Sequence, residues 1–563
     1  MNTGYQNCSK RNRITVRRSR VTYLAFWGLV VIGLLGFSVL AFKFWPFTMD
    51  DSYITFRYAK NFAAGNGLVF NTAEQPRAEG ITSPLYAMLL SLTPTGADLP
   101  TVSKCVGILS AGLAAFWVGA IIFRIAQCLT SLESSSLMVF SVAGACYYML
   151  NPYFVANAVS GMETSLSGLA FAVFLFCLLQ VSLPGEEPTY FWIVITGSIS
   201  TVVPMLRPEM GLFVVVSIMA LAFLTPDRRR SAHIILLIFI GLGTLYFIVR
   251  FIYYQNMLPL PFYIKQGNFG LRGWPEVRNY LDSNLFLLLS VFICLVFALA
   301  PDTRTRQLIN TFVIGCIVAV ACQLVYYSTI RHIMGWGFRF FQPVSTGLVI
   351  MGFVGVARVY SFFNESRCRD LIPLPVVFTG LFTLLLLSNV SAYGKAHDLF
   401  VDSDAKGYGE KAIKDWQLII DASKGMSLHV AMNDCGQFPY YTGFRTVDLA
   451  GLNNRAIAKG RSPEATLHEL REKNPSLVIL CGSDNNNIAS VFGWEKLSSS
   501  DVLSLGYDYV GSIKVGKFTS KEDYYWLIFT KSDQATDDFL NRLARIGVFV
   551  YANSSARIEK QRG

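Results

Sequence analysis

Charge is scarce in this chain, and histidine scarcer. Only 15% of its 563 residues are charged and five are His, whereas 53% are hydrophobic and 43 are Phe. So little charge on a chain of this length excludes the ordinary soluble class. No GxGxxG or other phosphate-cradling glycine loop is present, which argues against nucleotide binding. No HxxxH or CxxC occurs either, so nothing has metal-ligand spacing. The long apolar runs contain almost no ionisable residue in their interiors, where an ion-coupled transporter would hold its charges. Internal repeats and low-complexity segments are absent. Of the 11 cysteines most lie in or beside apolar runs, where they act as small hydrophobes. Only Cys435 and Cys481 fall in the polar C-terminal region, free to pair or to stay thiols according to compartment.

What is present is a series of apolar runs, each near the roughly 20 residues that span a bilayer. We place eleven spans at 21–43, 105–127, 136–151, 164–182, 190–206, 209–224, 234–254, 283–300, 308–327, 341–362 and 373–393. The first follows Lys10, Arg11, Arg13, Arg17, Arg18 and Arg20 with no acidic residue before it. It is too long for a signal-peptide core and lacks a small-residue cleavage site. The positive-inside rule puts the amino terminus in the cytoplasm. The same count then places Arg228, Arg229 and Arg230, Arg304 and Arg306, and Arg367 and Arg369 on that side. The net charge of +11 comes largely from these clusters and fits anionic lipid rather than nucleic acid.

Domain boundaries follow: a basic cytoplasmic arm at 1–20, a transmembrane domain at 21–393 and an α/β domain at 394–533. A basic tail at 534–563 completes the chain. The expected fold class is a polytopic α-helical membrane protein with a C-terminal extracytoplasmic α/β domain. Residues 44–104 form a long outward loop with helical spacing at Tyr53, Phe56, Ala59 and Phe62 and a second short helix over 83–92. A loop of this length with its own helices is a working element rather than a connector. In the polar region, apolar segments at 428–432, 477–480, 507–515 and 524–529 alternate with helical patterns at 410–422 and 463–473.

The charged residues of interest share the outward side. Asp50 and Asp51 are either a helix cap complementing the dipole or a reactive centre, since a carboxylate in a cleft accepts a proton from an attacking hydroxyl. Arg77 and Glu79 either bind substrate or pair with each other. Glu163, Arg207, Glu209, Lys265 and Arg339 lie at outward span ends, with Arg250, Arg331 and His332 nearby, and we add Arg57 from the first outward helix. Mixed carboxylate, guanidinium and ammonium groups suit attack by a hydroxyl on a phosphate-activated substrate. A divalent cation is compatible with these acids, though no spacing demands it.

At "DDSYITFRYAKNFAAGNGLVFN", "RAEGITSPL", "SGMETSLSGL" and "RPEM" the chain resembles the GT-C superfamily of polytopic glycosyltransferases. It is most similar to the branch of mycobacterial-type terminal arabinofuranosyltransferases. "PLPFYIKQG", "GFRFFQPV" and "NDCGQFPYYTGFRTVDLAGLNNRAIAK" extend the resemblance in order from about residue 45 to 480. One departure is "RHIMGWGFRF", where relatives carry a Gly-Gly-Asp-like segment. The resemblance implies a GT-C fold in the bacterial cytoplasmic membrane, a polyprenyl-phosphate-linked sugar donor and an extracytoplasmic site. It implies Asp50 as base with Asp51 as partner. Arg77, Glu79, Glu163, Arg207, Glu209, Lys265 and Arg339 fall on its later motifs, and the two basic residues among the last of these suit the donor phosphate. The expected activity is inverting transfer of a sugar, arabinofuranose favoured, to a hydroxyl of an envelope glycan or exported protein. Mannose, glucose and an amino-arabinose stay open. The competing expectation is a lipid-linked sugar flippase or transporter that makes no glycosidic bond, with a structural scaffold as the third.

Overall fold

The computed structural model describes residues 26–552 apart from 73, 95, 184–186, 266–269, 300–303, 331, 333–334, 366–373, 403–409, 483–496, 498, 518–522 and 532. Apolar runs become helices, and their order is α1 Phe26–Phe44, α2 Asp50–Ala63, α3 Pro84–Ser91, α4 Leu99–Leu129, α5 Ser134–Met149, α6 Pro152–Ala158, α7 Thr164–Ser182, α8 Tyr190–Leu206, α9 Gly211–Leu224, α10 Arg229–Tyr254, α11 Leu260–Lys265, α12 Trp274–Ser283, α13 Leu285–Leu299, α14 Arg304–Thr329, α15 Gln342–Glu365 and α16 Leu374–His397.

Every expected span coincides with a helix, but the count differs. Among the described residues, six helices are long and apolar enough to cross a membrane, or up to eight if two bent pairs, α5 with α6 and α12 with α13, are each one span. For α8 and α9 length is the reason, while many side chains of α16 lie outside the described residues. The 17 residues of α8 rise only about 25 Å at 1.5 Å each, short of a hydrocarbon core of roughly 30 Å. The chain is a multi-pass helical membrane protein. Most of helix α15, from Gln342 to Arg358, is buried within the bundle. Helix α10 stays mostly uncovered, as a helix against lipid does. Of the arginine clusters used for orientation, Arg228, Arg229 and Arg230 lie at the turn into α10. The 1–20 arm, Arg367 and Arg369 and the side chains of Arg304 and Arg306 lie outside the described residues.

The C-terminal domain follows as α17 Glu410–Ser423, β1 His429–Met432, α18 Gln437–Thr442, β2 Arg445–Asp448, α19 Arg455–Gly460, α20 Pro463–Lys473, β3 Leu477–Gly482, α21 Ser499–Ser504, β4 Asp508–Lys517, β5 Asp523–Thr530, α22 Gln534–Arg545 and β6 Phe549–Tyr551. Among the described residues its six strands lie in the order β2-β1-β3-β5-β4-β6. The first three run parallel, and the rest join antiparallel. The sheet continues past the boundary expected at 533. Strand β6 pairs with β4 through Phe549 opposite Ile513, and α22 buries Phe539, Leu540 and Leu543.

The segment between α1 and α4 and this domain share one apolar core. Ile54, Tyr58, Leu68, Phe70 and Ile81 pack with Trp416, Val430, Met432, Phe438 and Trp526. At Gly80 a Cβ would lie 1.9 Å from Asn453 Oδ1, an approach only glycine permits. Cys435 and Cys481 are buried free thiols. Cys435 Sγ lies 3.2 Å from Met432 O, and Cys481 Sγ 2.8 Å from Tyr524 Oη. Alkylation of the denatured protein without reductant is expected to label both. Peptide mass spectrometry that found them linked would contradict this arrangement.

Candidate active site

Asp50 and Asp51 form the first turn of α2, where unpaired backbone N–H groups favour negative charge. Neither caps the helix. Met49 holds the N-cap position, without a side-chain bond to the helix. Adjacent helical positions diverge by about 100°, and the two carboxylates accordingly meet different surroundings.

Asp50 turns into the C-terminal domain. The segment after β1 lies on it: Gln437 donates its backbone N–H to Asp50 Oδ1 at 2.9 Å. A Cβ at Gly436 would come within 2.3 Å of Asp50 Cγ. Burial pushes the Asp50 carboxyl well above the ordinary carboxylate range, helped by the charges of Asp434 and then Asp51, against the pull of the Gln437 and Gly436 N–H groups. Asp434 is itself held by the Tyr524 hydroxyl and by Trp526 Nε1, the latter at 2.9 Å.

Asp51 stays partly open and faces Arg339, with 3.6 Å between Oδ2 and Nη2. Arg339 owes its position to a backbone kink. Gly337 and Phe338 both adopt left-handed angles, φ 60° and 54°, and such a conformation is strained for a residue with a side chain. The kink turns Arg339 inward, against Met49 and the Phe340 ring. Arg207 lies against the same ring, its guanidinium carbon 4.9 Å from the centroid. Pro208 sets that placement, because the residue before proline is driven out of the helical region. Arg207 accordingly ends α8 at φ −144°, ψ 99°. Its guanidinium pairs with Glu163 at 3.5 Å and Glu209 at 3.3 Å. Glu163 precedes α7, directed there by the turn at Gly161 (φ +84°).

Four separate parts of the chain thus converge in sequence: Asp51, Arg339, Phe340, Arg207, then Glu163 and Glu209. Arg339 Nε and Arg207 Nη1 are buried without a hydrogen-bond partner among the described residues. Guanidinium N–H groups left over in a low-dielectric site suit an oxyanion such as a phosphate.

The other expected site residues stand apart from this line. Glu79 is buried and pairs with Arg250 through two contacts, 2.8 and 2.7 Å. It does not pair with Arg77, which stacks on Tyr253 at 4.3 Å. Arg57 gives its donors to the carbonyls of Phe70, Pro439 and Phe444 and to Asn71 Oδ1. It joins the first loop to the C-terminal domain. The side chain of Lys265 lies outside the described residues.

The donor set does not fit a divalent cation well. Asp51, Glu163 and Glu209 face guanidinium groups rather than one another. Among the described residues, the one His/Asp/Glu grouping with ligand spacing is His468, Glu469 and Glu472 on α20. Sequence reasoning named Arg250 only as a residue near a span end and assigned no chemistry to Asp434 or Gln437. Nothing in their local spacing marks them; the contact with Asp50 bridges nearly 390 positions.

A family model described as a domain of unknown function (DUF8728) matches residues 414–529, within the C-terminal domain. No curated protein matches the chain. Among solved structures the chain is similar to ArnT from Cupriavidus metallidurans in the apo state, at 10% sequence identity and a TM-score of 0.54. The likeness covers 90% of this chain and 98% of that one, so the membrane bundle and the C-terminal domain together follow an ArnT-like fold.

Proposed function

We propose that this protein is a GT-C glycosyltransferase that moves a sugar, arabinofuranose favoured, from a polyprenyl-phosphate donor to a hydroxyl acceptor. The acceptor would be an envelope glycan or an exported protein at the outer face of the bacterial cytoplasmic membrane. The observation that carries this reading is the buried carboxylate of Asp50 next to Asp51, which faces Arg339 at the head of a line of two guanidinium groups with uncommitted donors. The ArnT-like fold supports it, as do the motifs of the first loop.

The step is a single displacement. Asp50 takes the proton of the acceptor hydroxyl, whose oxygen forms the new bond to the anomeric carbon. The bond from that carbon to the phosphate oxygen breaks, and polyprenyl phosphate leaves with the electron pair. The anomeric centre inverts. Arg339 and Arg207 offset the charge growing on the phosphate, with Arg77 and Lys265 as further candidates for that surface. Asp51, Glu163 and Glu209 hold the two guanidinium groups in place. No step runs through a metal.

The test uses full-length protein in proteoliposomes with radiolabelled polyprenyl-phosphate arabinofuranose and an envelope-glycan fraction. A new glycosidic bond is expected. Label that crosses the bilayer without one would favour the flippase reading instead. The pH profile has a definite sign. A base with raised proton affinity ionises only as pH climbs past the ordinary carboxylate range, so the rate should rise on a limb above that range. Asp434→Asn removes a charge that raises Asp50 and should move the limb toward acid. An unmoved limb would remove Asp50 as its source.

A further inference from the structure

In α/β sheets, ligands sit beyond the carboxyl ends of the parallel strands. Here the segments after β1 and β2 are pressed onto the first outward loop. Asn453, beyond β2, lies 3.1 Å from the Tyr58 hydroxyl. Gly436 and Gln437, beyond β1, lie against Asp50. The edge of the sheet that usually meets a ligand therefore meets the carboxylate of the proposed reaction.

Gln437 is 1% exposed, yet neither its side-chain oxygen nor its nitrogen has a hydrogen-bond partner among the described residues. Buried amides are nearly always satisfied, and one that is not calls for an explanation. Its neighbours in the same domain show the contrast. Asp448 accepts from the backbone of Gly451 and from both nitrogens of Asn453, and Asn454 donates to Glu469. Gln437 alone among these reaches Asp50 through its backbone while its amide, one donor group and one acceptor, is left over. A sugar ring offers hydroxyls that both donate and accept, the complement of a carboxamide.

We propose that Gln437, carried by the C-terminal domain, is a sugar-positioning residue: its amide binds ring hydroxyls beside Asp50 and sets the reacting sugar against that carboxylate. This rests on the glycosyltransferase reading. It adds that the C-terminal domain supplies part of the sugar site. The sugar is either the donor's or the acceptor's, and the recognition chemistry is the same for both.

The test measures binding to full-length protein in detergent with three probes: polyprenyl phosphate, polyprenyl-phosphate arabinofuranose, and an arabinofuranosyl oligosaccharide added to protein already loaded with polyprenyl phosphate. Gln437→Met keeps length and removes both polar atoms. It should bind polyprenyl phosphate as the unaltered protein does and lose about tenfold on a sugar-bearing probe. Loss on the lipid-linked sugar assigns the amide to the donor, and loss on the oligosaccharide assigns it to the acceptor. Equal affinity on all probes, or equal weakening on all three, would overturn the proposal, the second because a structural defect does not discriminate sugar. If Gln437→Met does not fold, Gln437→Asn, which withdraws the amide by one methylene, gives the same comparison. Unaltered protein that binds none of the three probes would overturn the glycosyltransferase reading itself, a result distinct from a failure of Gln437 alone.

Discussion

Asp50→Asn is expected to lower sugar transfer by roughly 10²- to 10⁴-fold, the range a positioned general base contributes. The substitution is close to isosteric, and its amide oxygen can still accept the Gln437 N–H that Asp50 accepts now. It also removes a carboxylate that burial disfavours, so expression and melting temperature should hold or improve. Loss of rate would therefore report chemistry rather than folding. Asp51→Asn should cost less, because it leaves the base intact and weakens only the contact that orients Arg339. Transfer undiminished in Asp50→Asn, with normal membrane expression, would sink the assignment.

The second large effect concerns stability. Arg250→Met should destabilise the protein by about 3–5 kcal/mol, the cost of leaving one member of a buried ion pair alone. Glu79 is 1% exposed and its pair with Arg250 is the only ion pair it makes among the described residues. The double variant Glu79→Met with Arg250→Met should recover most of the loss, since an apolar replacement of both members is often neutral. Thermal unfolding in one detergent checks both. A double variant no better than Arg250→Met would instead give Glu79 a part beyond the pair. The pH dependence has a fixed sign. Burial raises Glu79 from 4.5 to about 7 against the pull of Arg250. Between those values the folded chain keeps a proton that the unfolded chain has released, so this group's contribution to stability falls as pH rises through that window.

These two cases show how far the sequence carries. The spans were legible because apolar runs of bilayer length have few other meanings, although α8 and α9 are shorter than a span. The acidic and basic residues at 50–51, 163, 207–209 and 339 stand out for a similar reason. Charge is scarce in this chain, so a charge at a span end is conspicuous. What the spacing could not show is which charge meets which. Arg57 reads like a ligand-binding residue until its guanidinium is seen on carbonyls more than 380 positions away. Glu79 and Arg77 are near neighbours in sequence, yet each has a different partner on α10. Strands β2 and β6 are four and three residues long, below what alternation can reveal. Gln437 is an uncharged residue at the start of a short helix, and only its enclosure gives it meaning.

The shared core of the first loop and the C-terminal domain also fixes an order of assembly. The loop leaves the ribosome about 360 to 470 residues before Val430, Phe438 and Trp526, the residues that pack with Tyr58 and Phe70. During that interval its apolar face has no partner, and long-range pairing of this kind is slow to form and exposed while it waits. A chain stopped before β1 would lose more than a domain: the face of α2 that carries Ile54 and Tyr58 would be left uncovered, while Tyr53 and Phe56 keep their packing in the bundle. Completion of the C-terminal domain is thus a condition for the surroundings of Asp50 to take shape.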